Sequence, residues 1–140
     1  ASDVYKRQEH ANSNPAEAAS WITSISDAQQ RNHATTRVSA SWYAQDPQAA
    51  TRWASNLPRG SMRDDAIVGL AGQWRDPSPT QQSMIDSIDD ESKRARARTS
   101  QIYRIARHDW QRAQNLLDSV DLNSEERQRV QSFIDRYRNQ

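Results

Sequence analysis

The chain repeats itself, and this constrains its fold more than any other feature. Trp21-Ile22-Thr23-Ser24-Ile25 returns as Trp53-Ala54-Ser55-Asn56-Leu57, then Met84-Ile85-Asp86-Ser87-Ile88, then Leu116-Leu117-Asp118-Ser119-Val120. The offsets are 32, 31 and 32 residues. Trp42, Trp74, Ile105 and Tyr137 recur in step, as do Val38, Leu70, Gln101 and Phe133. Gln101 is the polar exception in its column, with Ile102 beside it placed to compensate. A smaller column reads Ala18, Ala50, Gln81 and Ala113. A period of this size marks units that cannot bury their own apolar face and must stack to build a core.

Each unit reads as a helical hairpin. The first helices are predicted to open at Asn14-Pro15, Asp46-Pro47 and Asp76-Pro77, where Asn or Asp caps and Pro fits the first helical position. Ala50, Trp53, Ala54 and Leu57 follow the i, i+3, i+4, i+7 pattern of one apolar stripe. After Pro58-Arg59-Gly60, Ser61 and Asp64 have capping-box spacing, and Ala66, Leu70 and Trp74 line the second helix. In the last unit Asn123 and Glu126 repeat the cap, followed by Val130, Phe133, Ile134 and Tyr137. No segment alternates as a strand would. The expected fold is all-α: an α-solenoid of four hairpins, about eight short helices, spanning 14–45, 46–75, 76–108 and 109–140 within one domain.

Composition is consistent with this reading and closes off several functions. Hydrophobic residues make up 34% of 140, below a globular norm of ~45%, and small alanines with five tryptophans offset the deficit. No run is long and apolar enough to span a membrane, which takes ~20 residues. The absence of cysteine excludes disulfides and thiolate chemistry. Basic and acidic residues number 19 and 18, so net charge selects no partner.

Three resemblances add expectations. The hairpin spacing resembles tetratricopeptide-like repeats, without the Gly and Tyr positions of their first helix. Asp46 through Trp74 resembles a bacterial repeat pattern, Asp-Pro-x-Ala-Ala-x-x-Trp followed by Leu-Pro-x-Gly-x-x-Arg and Trp, from a family of unassigned function with no catalytic residues to carry over. Ala1-Ser2-Asp3-Val4-Tyr5-Lys6-Arg7-Gln8 resembles a translated sequencing-library adaptor. That implies a metagenomic fragment of a longer bacterial protein, with residues 1–13 outside the folded domain. The compartment stays open between cytoplasm and periplasm.

No enzyme is expected, and no catalytic, cofactor or metal residue is assigned. His10, His33 and His108 stand far apart without ligand spacing, and no nucleophile elbow occurs. The preferred reading is a non-catalytic scaffold that binds a protein or peptide. A ladder of polar side chains opposite the apolar stripe would hold it: Ser24, Asn56, Ser87 and Ser119, with Arg52 and Asn115 on a neighbouring rung. The alternative partner is RNA or another polyanion on the Arg-rich third hairpin, through Arg94, Arg96, Arg98, Arg104 and Arg107, with Tyr103 placed to stack.

Three structural expectations follow. The Trp53 and Trp74 columns should be buried. Arg31, Arg63 and Arg94 recur where the second helix begins, a poor site for a cation against the helix dipole, and should bond the carbonyls ending the preceding helix or an Asp of an adjacent Asp-Pro start; with Glu126 in the Arg position, the last hairpin should close differently. The first hairpin should expose Trp21, Ile22 and Ile25, residues 1–14 should fray, and any self-association should pass through that hairpin.

Overall fold

Asn14, Asp46, Ser78 and Asp109 each cap a helix by accepting the amide three residues on, at 3.0–3.2 Å. They open α1 (Pro15–Trp21), α3 (Pro47–Asn56), α5 (Pro79–Asp86) and α7 (Trp110–Ser119). Proline occupies the first turn in α1, α3 and α5. Asp27, Asp90 and Asn123 cap the second helices in the same way at 2.8–3.0 Å. These are α2 (Ala28–Gln45), α6 (Glu91–Ala106) and α8 (Ser124–Arg138), and α4 (Ser61–Ala71) completes the set. The computed structural model describes residues 14–140. The adaptor-like segment and His10 lie outside the described residues, within which the fold is all-α, without strands.

Two caps differ from the sequence expectation. The third first helix opens at Ser78-Pro79 rather than Asp76-Pro77, because Ser78 and Gln81 complete a reciprocal capping box that Asp76 lacks. Asp76 instead pairs with Arg112 across to the fourth hairpin. Helix α4 is capped by Gly60 without a side-chain bond, so Ser61 and Asp64 form no capping box. Gly60 has φ +150°, a region that a side chain would make costly.

Among the described residues, contacts pass only between helices one or two places apart in the chain. The second helices α2, α4, α6 and α8 stack in order, and each first helix touches the second helices that flank it in sequence. No two first helices touch. This is the nearest-neighbour connectivity of a repeat array.

The core follows the repeat columns. Ala18, Ala50 and Ala113 are fully buried, letting helices approach. Trp74 and Ile105 are buried, while Trp42 and Tyr137 are half-buried. Trp53 is half-buried rather than buried, and leans on Trp42 with ring centroids 5.5 Å apart. Leu116 matches Trp53 in exposure. Ile22 and Ile25 are buried, Ile22 clustering with Ala18, Ala19 and Val38. Closure of α1 against α2 therefore covers the face expected to stand open, and Trp21 alone of the three is half-exposed. No described helix is long and apolar enough to cross a membrane.

Candidate functional site

The arginines at the second-helix starts form the most regular polar feature. Arg31 Nη1 donates to the Ile25 carbonyl at 2.8 Å, and Arg94 Nη1 to Ile88 at 2.6 Å. Arg127 does the same in the last hairpin, from Nη1 to Leu117 and from Nη2 to Val120. The fourth hairpin thus closes like the first and third, against expectation. The conserved spacing runs from the cap, since each arginine sits four residues after Asp27, Asp90 or Asn123. Sequence alignment places Glu126 there because the cap itself moves by one residue.

The second hairpin breaks this rule, and its residues grip the next unit instead. Counting four from Gly60 reaches Asp64, not an arginine. Asp64 is buried and accepts the Asp90 amide at 3.3 Å through Oδ2. Arg63 Nη1 donates to Ser87 Oγ at 3.1 Å, and Arg59 pairs with Asp89 at 2.7 Å. The Arg59 hydrogen bond holds the Asp89 carboxyl below its ordinary range. Asp90 is likewise low, because its carboxylate accepts the Lys93 amide.

Beside this grip runs a polar line through the second-helix stack. The buried Asp65 carboxylate lies 3.2 Å from Lys93 Nζ, which also donates to Ser61 at 2.9 Å. The Asn32 amide nitrogen, turned to donate, lies 2.9 Å from Asp65 Oδ2. Burial pushes the Asp65 carboxyl above its ordinary value, with the Lys93 hydrogen bond opposing. Sequence alone places Asp64 in a capping box at the start of the helix and assigns Asp65 no site role. Gly60 capping sets both residues a turn deep, where α2 and α6 cover them.

The ladder residues divide. The hydroxyls of Ser24, Ser87 and Ser119 donate to the carbonyls of Trp21, Met84 and Leu116, three residues back, at 2.6–2.8 Å. Their recurrence is accounted for by helix termination. Asn56, Arg52 and Asn115 are exposed. Arg52 lines an open groove of about 460 Å³ with Tyr43, Pro47, Gln48, Thr51 and Gln81, where the end of α2 and the separated helices α3 and α5 leave a gap. Tyr43 and Gln81 are positions that sequence reasoning missed. Tyr43 belongs to no column, whereas Gln81 is the polar exception in the column of Ala18, Ala50 and Ala113, a signal that could have found it.

The basic run does not converge on one surface. Arg94 holds Ile88, Arg98 pairs with Asp86 at 2.8 Å, and Arg104 reaches the Gly72 carbonyl at 3.4 Å. Arg107 is exposed beyond the end of α6. Arg96 is exposed and faces a hollow between α6 and α8, of about 380 Å³, with Ser92, Thr99, Tyr103, Glu126, Arg129 and Val130. A second hollow of about 370 Å³ shares Ser92 and Glu126 with it and carries Glu91 and Asp121.

The described residues define an all-α array of helical hairpins with an open groove at α3–α5 and two adjoining hollows beside α6. Compared with known proteins, the chain matches no family model, no curated sequence and no solved structure.

Proposed function

We propose that this chain is a non-catalytic protein- or peptide-binding array, with an extended segment laid across the α3–α5 groove. The observation that carries the reading is the chemistry of that groove. Gln48 and Gln81 offer amides that can both donate to and accept from a peptide backbone. Tyr43 and Pro47 supply apolar surface, and Arg52 supplies a forked donor for a carbonyl or carboxylate. Repeat arrays present such surfaces as their binding faces. The alternative, RNA along the third hairpin, has less to draw on, since Arg94, Arg98 and Arg104 are engaged within the chain. Selection from a random peptide library on the 140-residue chain tests the reading. Binders that weaken in Arg52→Ala and in the Gln48→Ala, Gln81→Ala double variant are expected. Binders indifferent to all three positions overturn it.

A further inference from the structure

We propose that the hollow between α6 and α8 is a second docking site, for a peptide segment bearing an isolated acidic residue between apolar ones. It goes beyond the α3–α5 reading and uses the other set of helices. Arg96 and Arg129 both line it, one from each helix. Both are exposed, and neither guanidinium donates a hydrogen bond or joins an ion pair among the described residues. Of the other arginines of the third and fourth hairpins, Arg94, Arg98, Arg104, Arg112 and Arg127 are held by carbonyls or carboxylates of the chain, Arg136 and Arg138 lie over the Phe133 and Trp110 rings, and Arg107 is exposed away from the hollow. A carboxylate set between Arg96 and Arg129 would supply the paired acceptor that guanidinium forks suit.

The apolar part of the segment has its own seat. Tyr103 and Val130 line the same hollow, and the Tyr103 ring is fixed edge-on against Phe133 at 4.6 Å between centroids. A fixed aromatic wall gives contact area without ordering cost on binding.

Charge around the hollow selects a peptide over a nucleic acid. Glu126 stands on its rim, held by Asn123 Nδ2 at 2.5 Å, and Glu91 and Asp121 line the adjoining hollow. A polymer with a charge on every unit would bring phosphates against these three carboxylates. A lone acidic side chain with uncharged neighbours meets the arginines and avoids them.

The test is fluorescence anisotropy with a labelled Leu-Leu-Glu-Leu-Leu peptide and the full chain. The Arg96→Gln, Arg129→Gln double variant should weaken binding about tenfold or more, the effect of losing a charge-assisted pair. Glu126→Gln keeps the acceptor for Asn123 and should tighten binding by removing the rim charge. Arg37→Gln with Arg75→Gln, exposed arginines away from the hollow, should leave binding unchanged. Because these positions line no part of the α3–α5 groove, Arg52→Ala reports separately on that site. The proposal is overturned if the peptide does not bind, if the control pair weakens it equally, or if a Lys-for-Glu peptide binds as well. Tighter binding of a uridine polymer through Arg96 and Arg129 would assign the hollow to nucleic acid and overturn it too.

Discussion

Arg94 reaches back six residues to donate from Nη1 to the Ile88 carbonyl at 2.6 Å, across the turn that joins the two helices of its hairpin. Ile88 is buried, and the turn carbonyls after α5 have no helical partner of their own. A guanidinium near a helix start opposes its own dipole. The bond to a half-buried carbonyl offsets that cost.

Arg94→Ala should therefore destabilise the chain by about 1.5–3 kcal/mol, the usual loss for a hydrogen bond to a charged group. Arg31→Ala and Arg127→Ala should behave alike, since they make the same closure. Arg107→Ala, at an exposed position, should stay within about 0.5 kcal/mol. Urea unfolding of the four variants checks the order, and equal losses at Arg94 and Arg107 would remove the closure argument.

Gly69 sets the closest approach of α2 to α4. A Cβ at this position would lie 2.3 Å from the Thr36 carbonyl oxygen and 2.9 Å from Ser39 Cβ. Ser39 itself donates to the Ala66 carbonyl at 2.5 Å across the same crossing. Alanine ordinarily favours a helix interior over glycine by about 1 kcal/mol. Here overpacking against backbone should reverse the sign, and Gly69→Ala should cost about 1–3 kcal/mol. Gly72→Ala is the control, because its Cβ would meet nothing nearer than 3.7 Å. Thermal melts should place the two variants on opposite sides of the parent or, at the least, far apart.

Asp65 gives the acid range an unusual sign. Its folded carboxyl titrates above the ordinary 3.8 because burial disfavours its charge, with Lys93 opposing. The folded state then holds more protons than the unfolded one between 3.8 and the raised value. By linkage, the contribution of Asp65 to stability rises as pH falls through that window and is lowest above it. Asp89 and Asp90 act the other way, since their folded values are lowered and their contributions are lost at still lower pH. The expected signature is comparative. The stability of the parent relative to Asp65→Asn should increase as pH drops from neutral toward 4. Chemical denaturation at several pH values measures it, and a flat or falling difference would contradict the shift.

The repeat columns made the helices legible, because each column is a packing position and packing has a period. Ala18, Ala50, Trp74 and Ile105 are buried where the columns place them. Polar detail was legible only where it also repeats. Arg31 and Arg94 could be read as hairpin closures, whereas Asp64 could not, since Gly60 displaces the cap and hands the arginine's place to a carboxylate. Serine columns misled in another way. Ser24, Ser87 and Ser119 recur because they bond helix-terminal carbonyls, a need every hairpin shares. Both grooves are made by gaps between particular helices. Tyr43, Gln81, Arg96 and Arg129 acquire neighbours only once the chain is folded.

Gln101 tests how the two largest apolar clusters are joined. Ala97 belongs to the cluster built on hairpins two and three, and Ile102 to the one built on hairpins three and four. Gln101 lies between them on α6, fully buried, with neither its Nε2 nor its Oε1 bonded. Ile102 is buried as well, so it adds a contact and does not relieve the amide. An unpaired amide in the interior carries its desolvation cost uncompensated. Gln101→Leu keeps the volume, matches Val38 and Leu70 in the same column, and should stabilise the chain by about 1–3 kcal/mol. Gln101→Glu keeps the shape but introduces a buried charge, and should be strongly destabilised at neutral pH while recovering as the carboxyl is protonated. Hydrogen exchange should locate the gain in α6 to α8, where the joined clusters would open together. A Gln101→Leu variant no more stable than the parent would mean that the amide finds partners in solution, and that the boundary between the clusters is wet.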